Sequence, residues 1–248
     1  MITKKHNLRP ETRDLRPNIL LGLTTTPGSD WREKINEIDR FGIKEIAFFP
    51  TYLEYKERQE LYNLLEKTGL ERIVFTHLRE EDMKPDEVNY LTEQYGCELF
   101  NIHPYRFGIL PPECLDQFKD QIFIENAGPI DRIEEIAKKY AGLCVDFAHF
   151  EAGRITGEKE YENFPELIKK YRVGFAHISA VREKPVFVSW DEEHKPHYDL
   201  HTLDHLSQLN YLKKYVEYLP DILGIELENS FKEQLEIKKY LEKIVNEK

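Results

Sequence analysis

The sequence predicts a single (β/α)8 barrel domain over residues 1–248. Short apolar segments alternate eight times along the chain with segments of helical periodicity. Most of the apolar segments lack polar alternation, which is typical of a parallel sheet covered on both faces. Eight such units favour a closed barrel, because a doubly wound open sheet usually has fewer strands and a glycine-rich phosphate loop after the first. No such loop, internal repeat or interdomain linker is found.

The predicted strands are short runs rich in apolar residues, several of them β-branched or aromatic. They cover residues 18–23, 43–50, 71–77, 97–104, 121–126, 143–149, 173–179 and 221–229. The sixth, LCVDFAH, follows Gly142 and has the composition of a buried strand.

The predicted helices follow the strands in turn. They cover residues 31–40, 54–68, 85–95, 112–119, 130–140, 165–171, 203–217 and 231–245. Asp30 is the expected N-cap of the first helix, and Gly42, Gly69 and Gly96 end the first three. The polar segment 180–202 is longer than an ordinary strand–helix connection, so we expect a loop there that forms a lid over a ligand or binds it.

Composition excludes several classes of function. The formal net charge of −11 disfavours a broad electrostatic grip on nucleic acid or on an anionic membrane. The polar N-terminus lacks the apolar core of a signal peptide, and no apolar run approaches about 20 residues, so no membrane span is predicted. Three widely spaced cysteines without a Cys-x-x-Cys pair indicate a reducing compartment, and we expect a cytoplasmic protein.

Polar side chains with metal-binding chemistry lie at the carboxyl ends of six predicted strands and in one following loop. These residues are His77, His103, Glu125, Asp146, His149, His177, Asp199, His201 and Glu226. Because a barrel of this type brings its carboxyl strand ends to one mouth, we expect the side chains to converge. A ring of imidazoles and carboxylates would be costly there without cations to neutralise it. The sequence therefore predicts a divalent-metal site, with zinc first and manganese or iron as alternatives.

Two assignments stay open within this set. Glu228 is two residues after Glu226 and points to the same face of the strand, so it could replace Glu226. His194, His197 and His205 lie near Asp199-x-His201, and any of them could replace His201.

Several of these segments resemble the xylose isomerase-like barrels, a group that includes endonuclease IV and many sugar isomerases and epimerases. The segments IENAG and CVDFAHFEAG resemble endonuclease IV at its fifth and sixth strands. The resemblance implies that all nine residues named above bind a cluster of two or three zinc ions, bridged by Glu125. The simpler isomerases of the group need mainly Glu125, Asp146, His177 and Glu226, for one metal. Multinuclear iron oxygenases share the scaffold and resemble the Asp-x-x-His segment less closely.

The loops after three of the histidines depart from the DNA-repair enzymes. Leu-Arg-Glu-Glu follows His77, Pro-Tyr-Arg follows His103, and Thr-Leu-Asp-His follows His201. These loops lack the DNA-facing residues of that family, so duplex DNA is not the expected substrate. Candidate substrate-binding residues follow the third, fourth and sixth strands or lie in the segment 180–202. They are Arg79, Arg106, Arg154 and Trp190.

Three functions follow as hypotheses. The first is an enzyme that uses the metal cluster to hydrolyse a small or nucleotide-sized phosphoester. The second is a sugar or sugar-phosphate isomerase or epimerase, with Glu125 and Glu226 as acid and base across a sugar carbon. The third is a metal-binding protein without turnover.

Overall fold

Nine parallel strands form the main sheet of the protein. The computed structural model describes residues 16–104, 112–127, 130–158, 161, 164–187 and 196–246. The nine strands are β1 (Asn18–Leu20), β2 (Gly22–Thr24), β3 (Glu45–Phe49), β4 (Arg72–His77), β5 (Leu99–Ile102), β6 (Ile122–Glu125), β7 (Gly142–Asp146), β8 (Val173–Ile178) and β11 (Ile222–Ile225). Their order across the sheet is β1-β11-β8-β7-β6-β5-β4-β3-β2.

The two ends of this sheet meet within one stretch of chain. β1 and β2 are separated only by Leu21, so together they form the predicted first strand. β1 pairs with β11, and β2 pairs with β3. The Ala47 amide of β3 donates to the Leu21 carbonyl at 2.9 Å, so the residue between β1 and β2 also bonds to the sheet. The eight strand positions therefore form a nearly closed parallel barrel, and the predicted fold class is confirmed.

Seven α-helices lie in the described part of the chain. They are α1 (Trp31–Phe41), α2 (Tyr55–Leu65), α3 (Pro85–Tyr95), α4 (Ile130–Ala137), α5 (Phe147–Thr156), α6 (Phe164–Lys170) and α7 (Phe231–Asn246). Short 3-10 helices at Glu113–Phe118, Leu206–Lys214 and Val216–Tyr218 replace two predicted α-helices. No helix in the described ranges is both long and apolar enough to cross a membrane.

The prediction for residues 143–149 is wrong after Asp146, because α5 begins there. The Asp146 carboxylate accepts hydrogen bonds from the backbone amides of Ala148 and His149, so this residue caps the helix directly after the strand. His149 consequently lies in the first turn of α5 rather than at the end of a strand.

The prediction of a long loop over residues 180–202 is also wrong. β9 (Ala180–Val186) and β10 (His197–Leu200) pair antiparallel as a separate two-stranded sheet. This hairpin follows β8 and carries Asp199 on its second strand. The residues 188–195 between the two strands lie outside the described ranges.

Two layers of side chains hold the barrel together. Inside it, Phe75 and Phe175 stack with ring centroids 4.3 Å apart, within a cluster that also contains Phe49, Phe123 and Cys144. This cluster fills the interior beneath the carboxyl strand ends, which keeps the chemistry at the mouth. A second, larger apolar layer lies between the strands and the surrounding helices.

Polar contacts close the barrel where β2 and α1 meet the segment after β11 and helix α7. The Gly22 amide donates to Gln234 Oε1 at 2.7 Å, and Gln234 Nε2 donates to the Gly22 carbonyl at 3.0 Å. The buried Lys34 ammonium donates to Leu227 O at 2.7 Å and to Thr24 Oγ1 at 2.9 Å. Helices α1 and α7 are thereby fastened to the first and last strands.

Gly22 is expected to be intolerant of substitution. A Cβ added there would come within 1.7 Å of the Ile225 carbonyl oxygen, so β2 and β11 would have to separate. We expect Gly22→Ala to reduce the free energy of unfolding by about 1–3 kcal/mol or more, as measured by urea denaturation. Gly69→Ala is the control, since its Cβ would come no closer than 3.2 Å to the Asp39 side chain. Equal stability of the two variants would contradict the close contact of Gly22 with Ile225.

Candidate metal centre

Seven of the nine predicted ligands converge at the carboxyl mouth of the barrel. Each strand from β4 to β8 contributes from its end or from the residue just after it, and so does β11. The converging residues are His77, His103, Glu125, Asp146, His149, His177 and Glu226. Five of them are at most 5% exposed, and His103 and His149 are partly buried.

The Glu125 carboxylate lies at the centre of the cluster and faces four imidazoles. Its Oε1 is 3.6 Å from His103 Nε2 and 3.6 Å from His149 Nε2. Its Oε2 is 3.6 Å from His77 Nε2 and 3.5 Å from His177 Nδ1. Each oxygen therefore faces its own pair of ring nitrogens.

Glu226 and Asp146 complete this inner set on opposite sides of Glu125. Glu226 Oε2 is 3.0 Å from His177 Nδ1, and Asp146 Oδ2 is 3.8 Å from His149 Nε2. The ligand atoms of Glu125, Asp146 and His149 lie within 4.8 Å of one another, and so do those of His77, His177 and Glu226. Two neighbouring groups of three donors thus share one mouth.

Asp199 and His201 lie at the edge of this set. Asp199 Oδ2 is 2.5 Å from Nδ1 of His149, on the side of the ring that faces away from Glu125. His201 Nδ1 is 3.1 Å from the Glu226 carbonyl and 3.9 Å from Glu226 Oε1. The hairpin therefore brings both residues to the cluster, with Asp199 against a histidine rather than against Glu125.

Two asparagines outside the predicted ligand set hold central residues of the cluster, one through a carboxylate and one through the backbone. Asn101 Nδ2 donates to Glu125 Oε2 at 2.7 Å. Asn126 accepts from the Asp146 amide at 2.6 Å and donates to the Asp146 carbonyl at 2.9 Å. Asn101 could have been found from its place in NIHP, two residues before His103 and so on the same face of the strand.

Glu80 is a further residue that the sequence analysis missed. Its Oε1 is 2.9 Å from the His103 amide nitrogen and 2.5 Å from His103 Nδ1. The only available signal was its place three residues after His77, in the Leu-Arg-Glu-Glu segment. Cys144, one strand layer below Asp146, also comes within 4.8 Å of donor atoms of Glu125 and His177.

The donor set fits divalent metal ions. His77 Nδ1 and Nε2, Asp146 Oδ2 and His177 Nε2 are buried and have no hydrogen-bond partner within the described part of the chain. Buried polar atoms of this kind are rare in proteins unless they bind water or an ion. Four imidazoles with three carboxylates form the mixed nitrogen and oxygen set that suits zinc, manganese or iron.

Protonation differs between the neighbouring His77 and His103, whose ring centroids are 4.5 Å apart. Burial lowers the pKa of His77 to about 3. Burial opposes the charged form of His103 as well, but the Glu125 and Glu80 carboxylates outweigh it and raise its pKa to about 10. In the metal-free protein at neutral pH, a proton on His103 partly replaces the positive charge that a metal would supply.

The pKa of His77 leads to a prediction about acid stability. The folded-state pKa of about 3 is below the ordinary value of 6.5, so between these values the unfolded chain binds more protons. The free energy of unfolding of the metal-free protein should therefore fall as pH drops from about 6.5 towards 3. His77→Gln should flatten this dependence between pH 6.5 and 5, as measured by urea denaturation in the presence of a chelator. An unchanged slope would contradict the prediction.

The remaining candidates divide into three groups. Glu228 accepts from Thr202 Oγ1 at 2.6 Å and from the Gly28 amide at 3.2 Å, so the open choice resolves to Glu226 as the residue facing the cluster. Arg79 pairs with Glu81 and Asp82, and Arg154 donates to Glu151. Arg106, Trp190 and His194 lie outside the described residues.

A cavity of about 310 Å³ opens beside the cluster, between α5 and the hairpin. His149 and Asp199 form its inner wall, and Tyr161, His197 and Tyr198 contribute its polar and aromatic surface. This volume is at the lower end of the range for small-molecule sites.

Comparison with known proteins gives structural neighbours only. The chain matches no protein-family model and no curated protein sequence. It is similar to a xylose isomerase-like TIM barrel/4-hydroxyphenylpyruvate dioxygenase fusion protein, with 14% identity over 87% of this chain and 39% of that one, at a TM-score of 0.45. It is also similar to phospho-2-dehydro-3-deoxyheptonate aldolase from Thermotoga maritima, with 11% identity over 94% of this chain and 70% of that one, at a TM-score of 0.48.

A monomeric β-xylosidase from Caulobacter crescentus is similar as well, with 13% identity over 84% of this chain and 54% of that one, at a TM-score of 0.35. The chain thus spans well under half the length of the fusion protein and about half that of the xylosidase. A xylose isomerase-like barrel, the group that the sequence resembles, is among these neighbours. At such identities and TM-scores the neighbours give no information about the reaction. The functional argument therefore rests on the geometry of the cluster.

Proposed function

We propose that the protein is a divalent-metal-dependent phosphoester hydrolase with two or three metal ions, acting on a small or nucleotide-sized substrate. The observation that carries this proposal is the Glu125 carboxylate, whose two oxygens face separate pairs of imidazoles at 3.5–3.6 Å. A carboxylate shared in this way suits a pair of cations better than one. When bound, a pair of divalent ions lowers the pKa of water and neutralises charge on phosphoester oxygens.

The protein's own residues would hold and orient this centre. His77, His103, His149 and His177 would supply ring nitrogens, and Asp146 and Glu226 would supply oxygens on either side of Glu125. Asn101 holds Glu125 in place through its 2.7 Å hydrogen bond, and Asn126 holds the backbone of Asp146. The aromatic cluster beneath the mouth keeps water out from below.

The cavity between α5 and the hairpin supports a small substrate. At about 310 Å³ it has room for one compact organic group beside the cluster, not for a duplex. Its described walls combine the Asp199–His149 contact with Glu158, His197 and two tyrosines, so they offer hydrogen-bonding groups and aromatic surface rather than one sign of charge. The net charge of −11 likewise argues against duplex DNA, since attraction to a phosphate backbone would depend on local features alone.

The isomerase hypothesis receives less support from the same geometry. A general base must be free to reach a substrate proton. Glu125 instead faces four imidazoles and accepts from Asn101. Its pKa is held well below the usual range, because the neighbouring histidines outweigh the effect of burial.

The proposal is tested by measuring metal content and phosphoesterase activity on the same preparation. Elemental analysis of protein purified without added metal or chelator should give at least two ions per chain. Bis(p-nitrophenyl) phosphate, nucleoside monophosphates and a duplex carrying an abasic site would then be supplied as substrates. We expect metal-dependent hydrolysis of at least one of the small phosphoesters and none of the duplex.

Other outcomes would select other functions. One ion per chain, with metal retained by His77→Ala and His103→Ala, would favour the isomerase, and turnover of a sugar phosphate lost in Glu226→Gln would establish it. Efficient incision of the abasic duplex at nanomolar enzyme would restore a DNA-repair function. Bound metal with no turnover of any of these substrates would favour a metal-binding protein.

A further inference from the structure

We infer that Glu80 is a positioning residue that fixes which nitrogen of His103 is presented to the metal centre, and that Asp199 does the same for His149. The inference deepens the proposed function and rests on its metal centre. It assigns a role to Glu80, which the sequence pattern did not reveal. It also changes the role of Asp199 from ligand to positioning residue.

The geometry at Glu80 is that of a carboxylate holding a histidine from behind. Glu80 is 2% exposed and lies between β4 and α3. Its Oε1 accepts from the His103 backbone amide at 2.9 Å and lies 2.5 Å from Nδ1 of the same residue. Backbone and ring of His103 are therefore held by one oxygen, which leaves Nε2 turned towards Glu125 Oε1 at 3.6 Å.

The place of Glu80 is itself fixed by the surrounding fold. The Leu78 amide donates to the Asn101 carbonyl at 2.8 Å, which extends the pairing of β4 with β5 into the segment before Glu80. On its other side, the buried Arg58 guanidinium donates to Asp82 Oδ1 at 2.7 Å and to the Asp82 carbonyl at 3.3 Å. Glu80 is thus held between two anchored points.

Asp199 repeats the same arrangement on the other side of the cluster. Its Oδ2 is 2.5 Å from Nδ1 of His149, and Nε2 of that ring is 3.6 Å from the same Glu125 Oε1. Two histidines, each backed by a carboxylate, therefore point the same ring atom at one oxygen. A neutral imidazole that donates Nδ1–H to a carboxylate keeps the Nε2 lone pair for a metal, and such outer partners typically change metal affinity by about 10–100-fold.

The test uses Glu80→Ala and the isosteric Glu80→Gln, with Glu81→Gln as the matched control. Glu81 is the adjacent carboxylate and pairs with Arg79 on the outer side of the segment. Zinc affinity would be measured by competition with a chromophoric chelator, and zinc stoichiometry by elemental analysis. The tautomer of His103 would be read by long-range ¹H–¹⁵N NMR on the metal-free protein above pH 10, where the ring loses its second proton, with His103→Gln used to assign its signals.

We expect Glu80→Ala to bind zinc about 10–100-fold more weakly at unchanged stoichiometry, and His103 to lose its preference for the Nδ1–H form. Glu80→Gln should keep the tautomer and fall between Ala and the wild type in affinity, while Glu81→Gln should match the wild type. Unchanged affinity and tautomer in both Glu80 variants would overturn the inference. A loss of one zinc ion per chain would overturn it too, by making Glu80 a ligand.

The NMR readout separates this inference from the proposed function. If the wild-type protein binds zinc but hydrolyses no phosphoester, the proposed function fails, and the Glu80 experiment still decides the positioning role. If His103 shows no tautomer preference in the wild type, the positioning role fails, whatever the activity.

Discussion

Replacing Glu125 with glutamine is expected to cause the largest loss of metal binding of any single isosteric change in this protein. The amide keeps the size of the side chain but removes the negative charge shared by four imidazoles. We expect at least one ion per chain to be lost, and the affinity for the rest to fall by more than about 100-fold, beyond the usual effect of an outer partner. Elemental analysis and chelator competition would measure both quantities.

Glu228→Gln is the control for this variant. Glu228 is half-buried and close in sequence to Glu226, but its oxygens accept from Thr202 and Gly28 rather than facing the cluster. It should retain wild-type metal content. Full occupancy in Glu125→Gln would show that Glu125 does not bridge, and it would remove the main support for the multinuclear centre.

Arg58→Ala is expected to have the largest effect on stability. The Arg58 side chain is fully buried and donates from Nε to Glu87 Oε2 and from Nη2 to Glu87 Oε1, each at 2.8 Å. Its removal leaves Glu87, which is 3% exposed, as a buried carboxylate without its cation. Breaking a buried pair from one side costs about 3–5 kcal/mol, so the free energy of unfolding from urea denaturation should fall by that amount.

Arg32→Ala provides the comparison for an exposed pair. Arg32 also contacts a carboxylate in two places, that of Glu60, but both side chains are about half exposed. Its removal should cost no more than about 1 kcal/mol.

Arg58→Ala should in addition weaken zinc binding, because Arg58 anchors Asp82 close to Glu80. Equal stability losses in the two variants would contradict the reasoning from burial.

Much of the barrel could be predicted because its signal is local and repeated. Buried parallel strands require apolar runs and helices require their own period, and each unit shows both within about 30 residues. The errors fell where tertiary contacts override that signal. Asp146 caps a helix immediately after its strand, so the apparent strand 143–149 changes to helix with no intervening loop. The hairpin β9–β10 is mostly polar because, after the buried Ala180 and Val181, its residues are only partly buried or exposed.

The inner ligands could be predicted because strand-end residues have a fixed place in a barrel. Glu80 could not, since it lies between β4 and α3 and only three-dimensional proximity relates it to His103. Asp199 was found, but its contact with His149 Nδ1 rather than with Glu125 depends on how the hairpin folds back, which no spacing in the sequence encodes. Sequence thus identifies donors more readily than it identifies which donor supports another.

The placement of the inner donors has a consequence for protein engineering. All seven come from β4 to β8 or the residue directly after one of these strands, from the first turn of α5, or from the residue after β11, and none comes from β1, β2 or β3. The segments that follow β2 and β3, residues 25–30 and 50–54, border the same mouth without holding the cluster. Exposed positions in these segments, such as Pro27 and Tyr52, can be varied to redirect selectivity towards new substrates, while the buried Thr25, Thr51 and Leu53 and the metal-binding half of the barrel are kept.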